Sequence, residues 1–188
     1  MGRGICAAVA AALCLVSACS SLPPAEFALP TTHGPLNKSL QSAVPAEVGS
    51  WDQYDTFSDR WRPPCSHSAT AYGGAAYSHG DASALVKVFR FDSTVAARRY
   101  YDAMITPRCM DEKRISKPGR DPSLGDASRS YRWAFADDQT RRWQTSTEWL
   151  DGRMVFKVIT CDCQKPPPGP PLASLLARRS PSKVVVES

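Results

Sequence analysis

The sequence predicts an α+β domain in which an antiparallel sheet carries one main helix packed on a face. Stretches typical of strands recur along the middle of the chain, and a single stretch between them has helical spacing. The predicted order of elements is β-β-α-β-β-β. An even set of cysteines in the same region predicts that two disulfides close this fold.

Two strands are predicted before the helix. Residues Ala69–Tyr77 are small or aromatic, and Gly73-Gly74 within them indicates a bulge or a close approach of another segment. The stretch LVKVFRF, Leu85–Phe91, has apolar residues on both faces. This pattern is typical of a central strand that is covered on both sides.

The helix is predicted for the stretch VAARRYYDAMI. Asp92-Ser93-Thr94 precedes it and supplies residues that favour a helix N-cap, while Pro107 ends the helical pattern shortly afterwards. Four residues at helical spacing form the face expected to pack on the sheet: Ala96, Tyr100, Ala103 and Met104.

Three further strands are predicted after the helix. Ser128–Phe135 and Arg142–Trp149 both alternate in the manner of strands. Asp151-Gly152 is a hairpin-turn signal that leads into the last predicted strand, Met154–Cys163. Proline follows at once, and it stops the strand because it donates no backbone hydrogen bond.

The first residues, MGRGICAAVAAALCLVSAC, combine one arginine with an apolar run too short to span a bilayer as a mature helix. The run ends in Val16-Ser17-Ala18-Cys19, which resembles the lipobox of bacterial lipoproteins. The resemblance implies cleavage before Cys19 and a lipid on that cysteine. It places the protein on the extracytoplasmic face of the cell membrane, with the membrane as a partner through the lipid.

Composition divides the remaining chain. Residues 1–18 are predicted to be the signal peptide, and residues 19–47 a proline-containing tether. The folded domain is expected to cover residues 48–164. Residues 165–188 begin with a proline run and are expected to be a mostly disordered tail, in which Leu172–Arg179 could form one or two helical turns if docked.

Four cysteines remain for the domain, and export permits disulfides. Cys161 and Cys163 are two residues apart on a strand, at the limit of disulfide geometry, so each is expected to bond a different partner. Cys65 and Cys109 are those partners, in either of two pairings. The alternative use is a zinc or copper(I) site formed by Cys65, His67, Cys161 and Cys163.

No sequence motif requires catalysis. Ser78-His79-Gly80 resembles part of the motif of L,D-transpeptidases, but Asp81 stands where that family has its nucleophilic cysteine. A cell-wall enzyme would therefore need His67 or His79 in a pocket beside another nucleophile. We expect no enzymatic activity, no cofactor and no resident metal.

Basic and aromatic side chains alternate on the last strands, and such a surface would suit anionic or carbohydrate ligands. The alternative is that the tryptophans belong to the core. Nucleic acid is not expected as a partner of an exported protein. The candidate ligand face consists of Arg129, Tyr131, Trp133, Arg142, Trp143 and Trp149.

An exported strand-helix-meander domain with four cysteines is similar to small actinobacterial lipoproteins and to the extracellular sensor domains of mycobacterial serine/threonine kinases. The resemblance implies a mixed sheet with two disulfides and a cleft of ligand size. It also implies a ligand-binding or sensor module in the cell envelope.

Overall fold

The computed structural model describes residues 35–58, 65–80, 82–106, 109, 113–114, 118–134, 144–161 and 171–179. Within these residues eight strands form one antiparallel sheet, in the order β1-β2-β3-β4-β8-β7-β6-β5. The strands are β1 (Glu47–Val48), β2 (Trp51–Ser58), β3 (Ala71–His79), β4 (Ala82–Arg90), β5 (Lys113–Arg114), β6 (Ala127–Ala134), β7 (Gln144–Asp151) and β8 (Met154–Cys161). The helices are α1 (Lys38–Gln41), α2 (Thr94–Ala103) and α3 (Leu172–Arg178).

The predicted α+β class and the central order β-β-α-β-β-β are confirmed by β3, β4, α2, β6, β7 and β8. The turn between β7 and β8 lies at the predicted Asp151-Gly152 signal, where Gly152 has a φ of 56°. The close approach expected at Gly74 is also present. A Cβ on Gly74 would collide with the carbonyl oxygen of Val86 in β4 and with the ring of Phe57 in β2.

Helix α2 packs on one face of the sheet. Its N-cap is Ser93, whose hydroxyl accepts a hydrogen bond from the amide of Ala96 at 3.1 Å. Tyr100 lies between Phe89 of β4 and Phe91, with ring centroids 4.8 and 5.2 Å away. Aromatic burial of this kind supplies much of the apolar area that holds the helix to the sheet.

The opposite face is covered by α1 and α3, which were not expected to be part of the domain. Leu36 and Leu40 from the N-terminal side, and Leu172 and Leu176 from α3, are buried in one core cluster with Trp149 and Phe156 of the sheet. The predicted limits, residues 48–164, leave these segments out. The sheet therefore lies between two helical layers, because both of its faces are apolar.

Strand β2 was not predicted from the sequence. It pairs with β3, but the register shifts between Gln53 and Asp55, so the alternation of side chains breaks in the middle of the strand. Only Trp51 and Phe57 are buried among its eight residues. Because β2 is mostly polar and contains a bulge, its sequence lacks the alternation of apolar and polar residues that predicts a strand.

The cysteine pairing predicted from the sequence is wrong. Cys65 bonds Cys109, with Cα atoms 5.6 Å apart, so neither is available to Cys161 or Cys163. The physical reason is topological. Cys65 precedes β3, whose first residue pairs with Arg90 of β4. Arg90 in turn pairs with Met154, the first residue of β8. Cys161 is the last residue of β8, so it lies at the opposite end of the strands from Cys65. The side chain of Cys161 and all of Cys163 lie outside the described residues.

Candidate functional site

The candidate ligand face does not form one exposed surface. Arg129 and Tyr131 are buried on the face that carries α2, and Trp149 is buried on the opposite face, stacked on Phe156 at 4.7 Å. These three side chains belong to the core because successive residues of a strand alternate between faces that are both covered. Arg142, Trp143 and the side chain of Trp133 lie outside the described residues.

Arg129 and Tyr131 instead belong to a buried cluster around Glu148, which we call the Glu148 cluster. Arg129 donates from Nε to Glu148 Oε2 at 2.6 Å, and the Tyr131 hydroxyl donates to Oε1 at 2.6 Å. Lys157 lies on the neighbouring strand, with its Nζ 3.7 Å from Oε1. The Glu148 side chain is 0% exposed, so its charge is compensated by protein groups, among them the cations of Arg129 and Lys157.

The Glu148 cluster also contacts α2. A second nitrogen of Arg129, Nη2, donates to the carbonyl oxygen of Tyr101 at 2.5 Å, and the guanidinium lies 4.0 Å from the centre of the Tyr101 ring. A cation at this position satisfies a carbonyl group in the last turn of the helix. Arg129 thus joins Glu148 of β7 to α2, and the cluster anchors the helix to the sheet.

The metal site considered from the sequence loses a ligand in this structure. Cys65 is bonded to Cys109, and a disulfide sulfur is not the thiolate that zinc or copper(I) requires. Among the described residues no group of three metal-binding side chains lies together. His67 is exposed, and of the remaining members neither Cys163 nor the side chain of Cys161 is described.

Among the described residues, His79 is joined to a serine by a hydrogen bond. Ser50 Oγ lies 3.2 Å from His79 Nδ1, and the ring of Trp51 packs edge-on against His79 at 5.7 Å. The contact is exposed and spans the neighbouring ends of β2 and β3. A serine nucleophile would also need donors for a developing oxyanion in a site that excludes water. An exposed pair of this kind is a surface hydrogen bond.

A cleft of about 350 Å³ lies beside the β7–β8 turn. This size lies within the range of small-molecule sites, about 300–1,000 Å³. One wall comes from α1 and its C-cap, the other from the end of β4 and from the turn itself. The lining residues are Ser39, Ser42, Arg90, Asp151, Gly152, Arg153 and Met154.

Strand pairing brings the two arginines of the cleft together. Arg90, the last residue of β4, lies directly opposite Met154, and Arg153 is the residue before Met154. The amide of Phe91 also donates to the carbonyl oxygen of Arg153 at 2.9 Å, which fixes the backbone of the turn against the end of β4. The backbones of Arg90 and Arg153 are therefore close neighbours at the end of β4 and in the turn.

These two arginines are weakly engaged by the protein. Arg90 Nη1 donates to the carbonyl oxygen of Ser39 at 3.4 Å, and Arg153 Nη1 donates to the carbonyl oxygen of Asp92 at 3.5 Å. Both distances are at the long limit for a hydrogen bond. Neither arginine forms an ion pair with any residue that the structure describes. Most of their donors are thus available to a ligand.

Sequence reasoning identified only part of this cleft. The Asp151-Gly152 turn was predicted, but Arg153, the next residue, was not included in the candidate ligand face. Arg90 had no distinguishing signal, because it is one of many arginines and lies within an otherwise mostly apolar strand. Ser39 and Ser42 were assigned to the tether, and their approach to Arg90 is a contact between residues far apart in the chain.

No family model matches this chain, and no curated protein matches it significantly. Among solved structures, the fold is similar to that of the extracellular domain of PknH from Mycobacterium tuberculosis. The match has a TM-score of 0.50 and 11% sequence identity, and it covers 79% of this chain and 96% of that domain. At this identity the likeness concerns the fold alone, and at that level it agrees with the resemblance inferred from the sequence.

In the part of the chain described here, no helix is both long and apolar enough to cross a membrane. The Cys65–Cys109 disulfide is of the kind found in proteins of oxidising compartments.

Proposed function

We propose that this chain is a lipoprotein of the bacterial cell envelope whose domain binds a small ligand as a binding or sensor module. The observation that carries the proposal is the cleft beside the β7–β8 turn, with two guanidinium groups that the protein itself leaves weakly engaged. Concave sites with a few converging polar groups are the usual form of small-molecule sites. We propose binding without catalysis.

Two further observations support the location and the module. The Val16-Ser17-Ala18-Cys19 motif supports lipid attachment at Cys19 and a position on the extracytoplasmic face of the membrane. The domain of PknH that shares the fold is, by its description, extracellular. A single domain held near the membrane by a lipid is suited to report on a ligand of the envelope.

The test is a ligand screen with a matched pair of variants. Full chain purified in detergent is screened by thermal shift against a library of small envelope metabolites. Ser42→Trp places an indole at the cleft from an exposed position, and Arg99→Trp places the same side chain on the exposed face of α2 as control. We expect ligands whose stabilising effect is lost in the first variant and kept in the second.

Two results would contradict the proposal. One is a library in which no compound stabilises the protein; the other is a set of ligands whose effect is unchanged by Ser42→Trp. Both variants must first show the melting temperature of the parent chain, since only then does a lost shift report on binding. Turnover of a bound compound would contradict the absence of catalysis.

A further inference from the structure

We infer that the cleft takes a small molecule through an anionic oxygen group, a carboxylate or a phosphate, held between Arg90 and Arg153. The inference rests on the proposed ligand-binding function and specifies the ligand class. Guanidinium groups present planar, paired donors that match the oxygen spacing of both anions. Arg90 at the end of β4 and Arg153 in the β7–β8 turn both line this cleft, so a ligand in it lies beside both residues.

The local charges favour an anion. The lining contains two cations and one carboxylate, that of Asp151, whose residue is only 4% exposed. Asp126 lies nearby, but its carboxylate accepts a hydrogen bond from the amide of Gly152 at 2.9 Å and thereby stabilises the turn. Asp92 contributes its carbonyl oxygen to Arg153, at a distance too long to satisfy the guanidinium. Among the residues that line the cleft, the two arginines therefore outnumber the single carboxylate.

The remaining walls indicate what else the ligand carries. The hydroxyl groups of Ser39 and Ser42 stand on the α1 side and can donate to a second oxygen of the anion. Met154 is partly buried against the core and provides an apolar, adaptable surface. The described lining contains no aromatic ring on which a neutral sugar would stack. These features favour an anionic head with a small apolar body.

The experiment uses three probes of similar shape with the full chain in detergent: benzoate, phenyl phosphate and the neutral amide benzamide. Binding is measured by calorimetry and by the NMR shift of the Gly152 amide. We expect at least one of the two anions to bind at least about tenfold more tightly than benzamide, since a charge-assisted hydrogen bond strengthens binding by about this factor. Binding should weaken with added salt. The two anions distinguish a carboxylate ligand from a phosphate ligand.

Single substitutions test whether the two arginines bind the anion. Arg90→Gln and Arg153→Gln should each weaken anion binding by about tenfold or more, because each keeps a polar side chain but loses the charge. Arg98→Gln, on the exposed face of α2, is the matched control and should leave binding unchanged. Within the described residues the side chains of Arg90 and Arg153 each donate one long hydrogen bond, so their replacement should leave the melting temperature near that of the parent chain.

The outcomes distinguish the inferred anion site from the proposed ligand-binding function. Benzamide binding as tightly as both anions, or anion binding unaffected by either arginine variant, would overturn the inference while leaving a ligand-binding cleft in place. The inference would also be overturned if neither anion bound, while a neutral library compound bound the parent chain and lost its effect in Ser42→Trp. If neither the probes nor any library compound binds at the cleft, the proposed function fails together with the inference.

Discussion

The guanidinium of Arg129 and the carboxylate of Glu148 face each other across β6 and β7, at 2.6 Å, with no part of the Glu148 side chain exposed. A buried pair of this kind adds little net stability over apolar packing, but the removal of one partner leaves an uncompensated charge. We expect Glu148→Ala to lower the free energy of unfolding by about 3–5 kcal/mol. Urea denaturation would measure the loss.

The pair is tested more sharply by a double-mutant cycle. Arg129→Met with Glu148→Leu should cost clearly less than the sum of the two single changes, because neither charge is then left alone. Glu47→Ala, at an exposed side chain, serves as the control and should change stability by no more than about 0.5 kcal/mol. Additive single and double changes would show that Arg129 and Glu148 do not interact.

The Cys65–Cys109 disulfide closes a loop with a sequence separation of 44 residues. In the chain-entropy model a loop of this size stabilises the folded state by about 4 kcal/mol, and measured effects are often smaller. Cys65→Ser with Cys109→Ser should therefore lower the melting temperature strongly. Peptide mapping of the unreduced protein should yield Cys65 and Cys109 in one cross-linked pair. A cross-link from either of them to Cys161 or Cys163 would contradict the assigned bond.

The lipid anchor is tested at Cys19, which lies outside the described residues. Cys19→Ala removes the thiol that would carry the lipid, so we expect the variant to be released from membranes or to remain unprocessed. Membrane fractionation with detergent extraction measures this. Ser20→Ala changes the next residue and should leave the protein in the membrane fraction. A fully processed, membrane-bound Cys19→Ala variant would exclude lipid attachment at this cysteine.

The sequence predicted the elements whose signals are local. Helix α2 has a capping serine at Ser93 and buried residues three and four apart, Ala97 with Tyr100 and Tyr101, and the β7–β8 turn has the Asp151-Gly152 pair. Helix α3 was interpreted as part of the tail because seven residues after a proline run have no stable helix of their own. Its stability comes from Leu172 and Leu176 packing against the sheet, a contact that no local pattern reports.

The site was harder to predict than the fold for the same reason. Trp149 has the residue type of a binding face, but the helices that cover both faces of the sheet make it a core residue. The cleft depends on α1 meeting the end of β4, where Ser39 and Arg90 are 51 residues apart. Contacts at such separations follow from the packing of the whole domain and have no counterpart in sequence spacing.

Alkaline pH should weaken the fold through Tyr77. Its hydroxyl donates to the carbonyl oxygen of Pro45 at 2.7 Å, and burial raises its pKa to about 12. The folded state therefore favours the neutral phenol, and this contribution is complete below about pH 10, the ordinary pKa of tyrosine. It is lost as the pH rises from about 10 to about 12, by roughly 2–3 kcal/mol.

Tyr77→Phe tests this titration. At neutral pH the variant should be less stable by about 1 kcal/mol, because the Pro45 carbonyl loses its donor. Between about pH 10 and 12 its stability should fall less steeply than that of the parent chain, since one titrating group is gone. Tyr54→Phe removes a hydroxyl from a side chain that is 55% exposed and should keep most of the parent's slope. Parallel curves for the parent and Tyr77→Phe would contradict the shifted pKa.

Helix α3 is the element whose contribution the sequence least indicated, and Leu172 and Leu176 attach it to the core. Both are nearly fully buried, so Leu172→Ala or Leu176→Ala should each cost about 2–5 kcal/mol through lost burial and the cavity left behind. Ser174→Ala, in the same helix and only partly buried, should change little. Limited proteolysis should then cut the two leucine variants at residues 171–179 faster than the parent chain. If both variants unfold at the parent's urea midpoint, α3 does not contribute to the core.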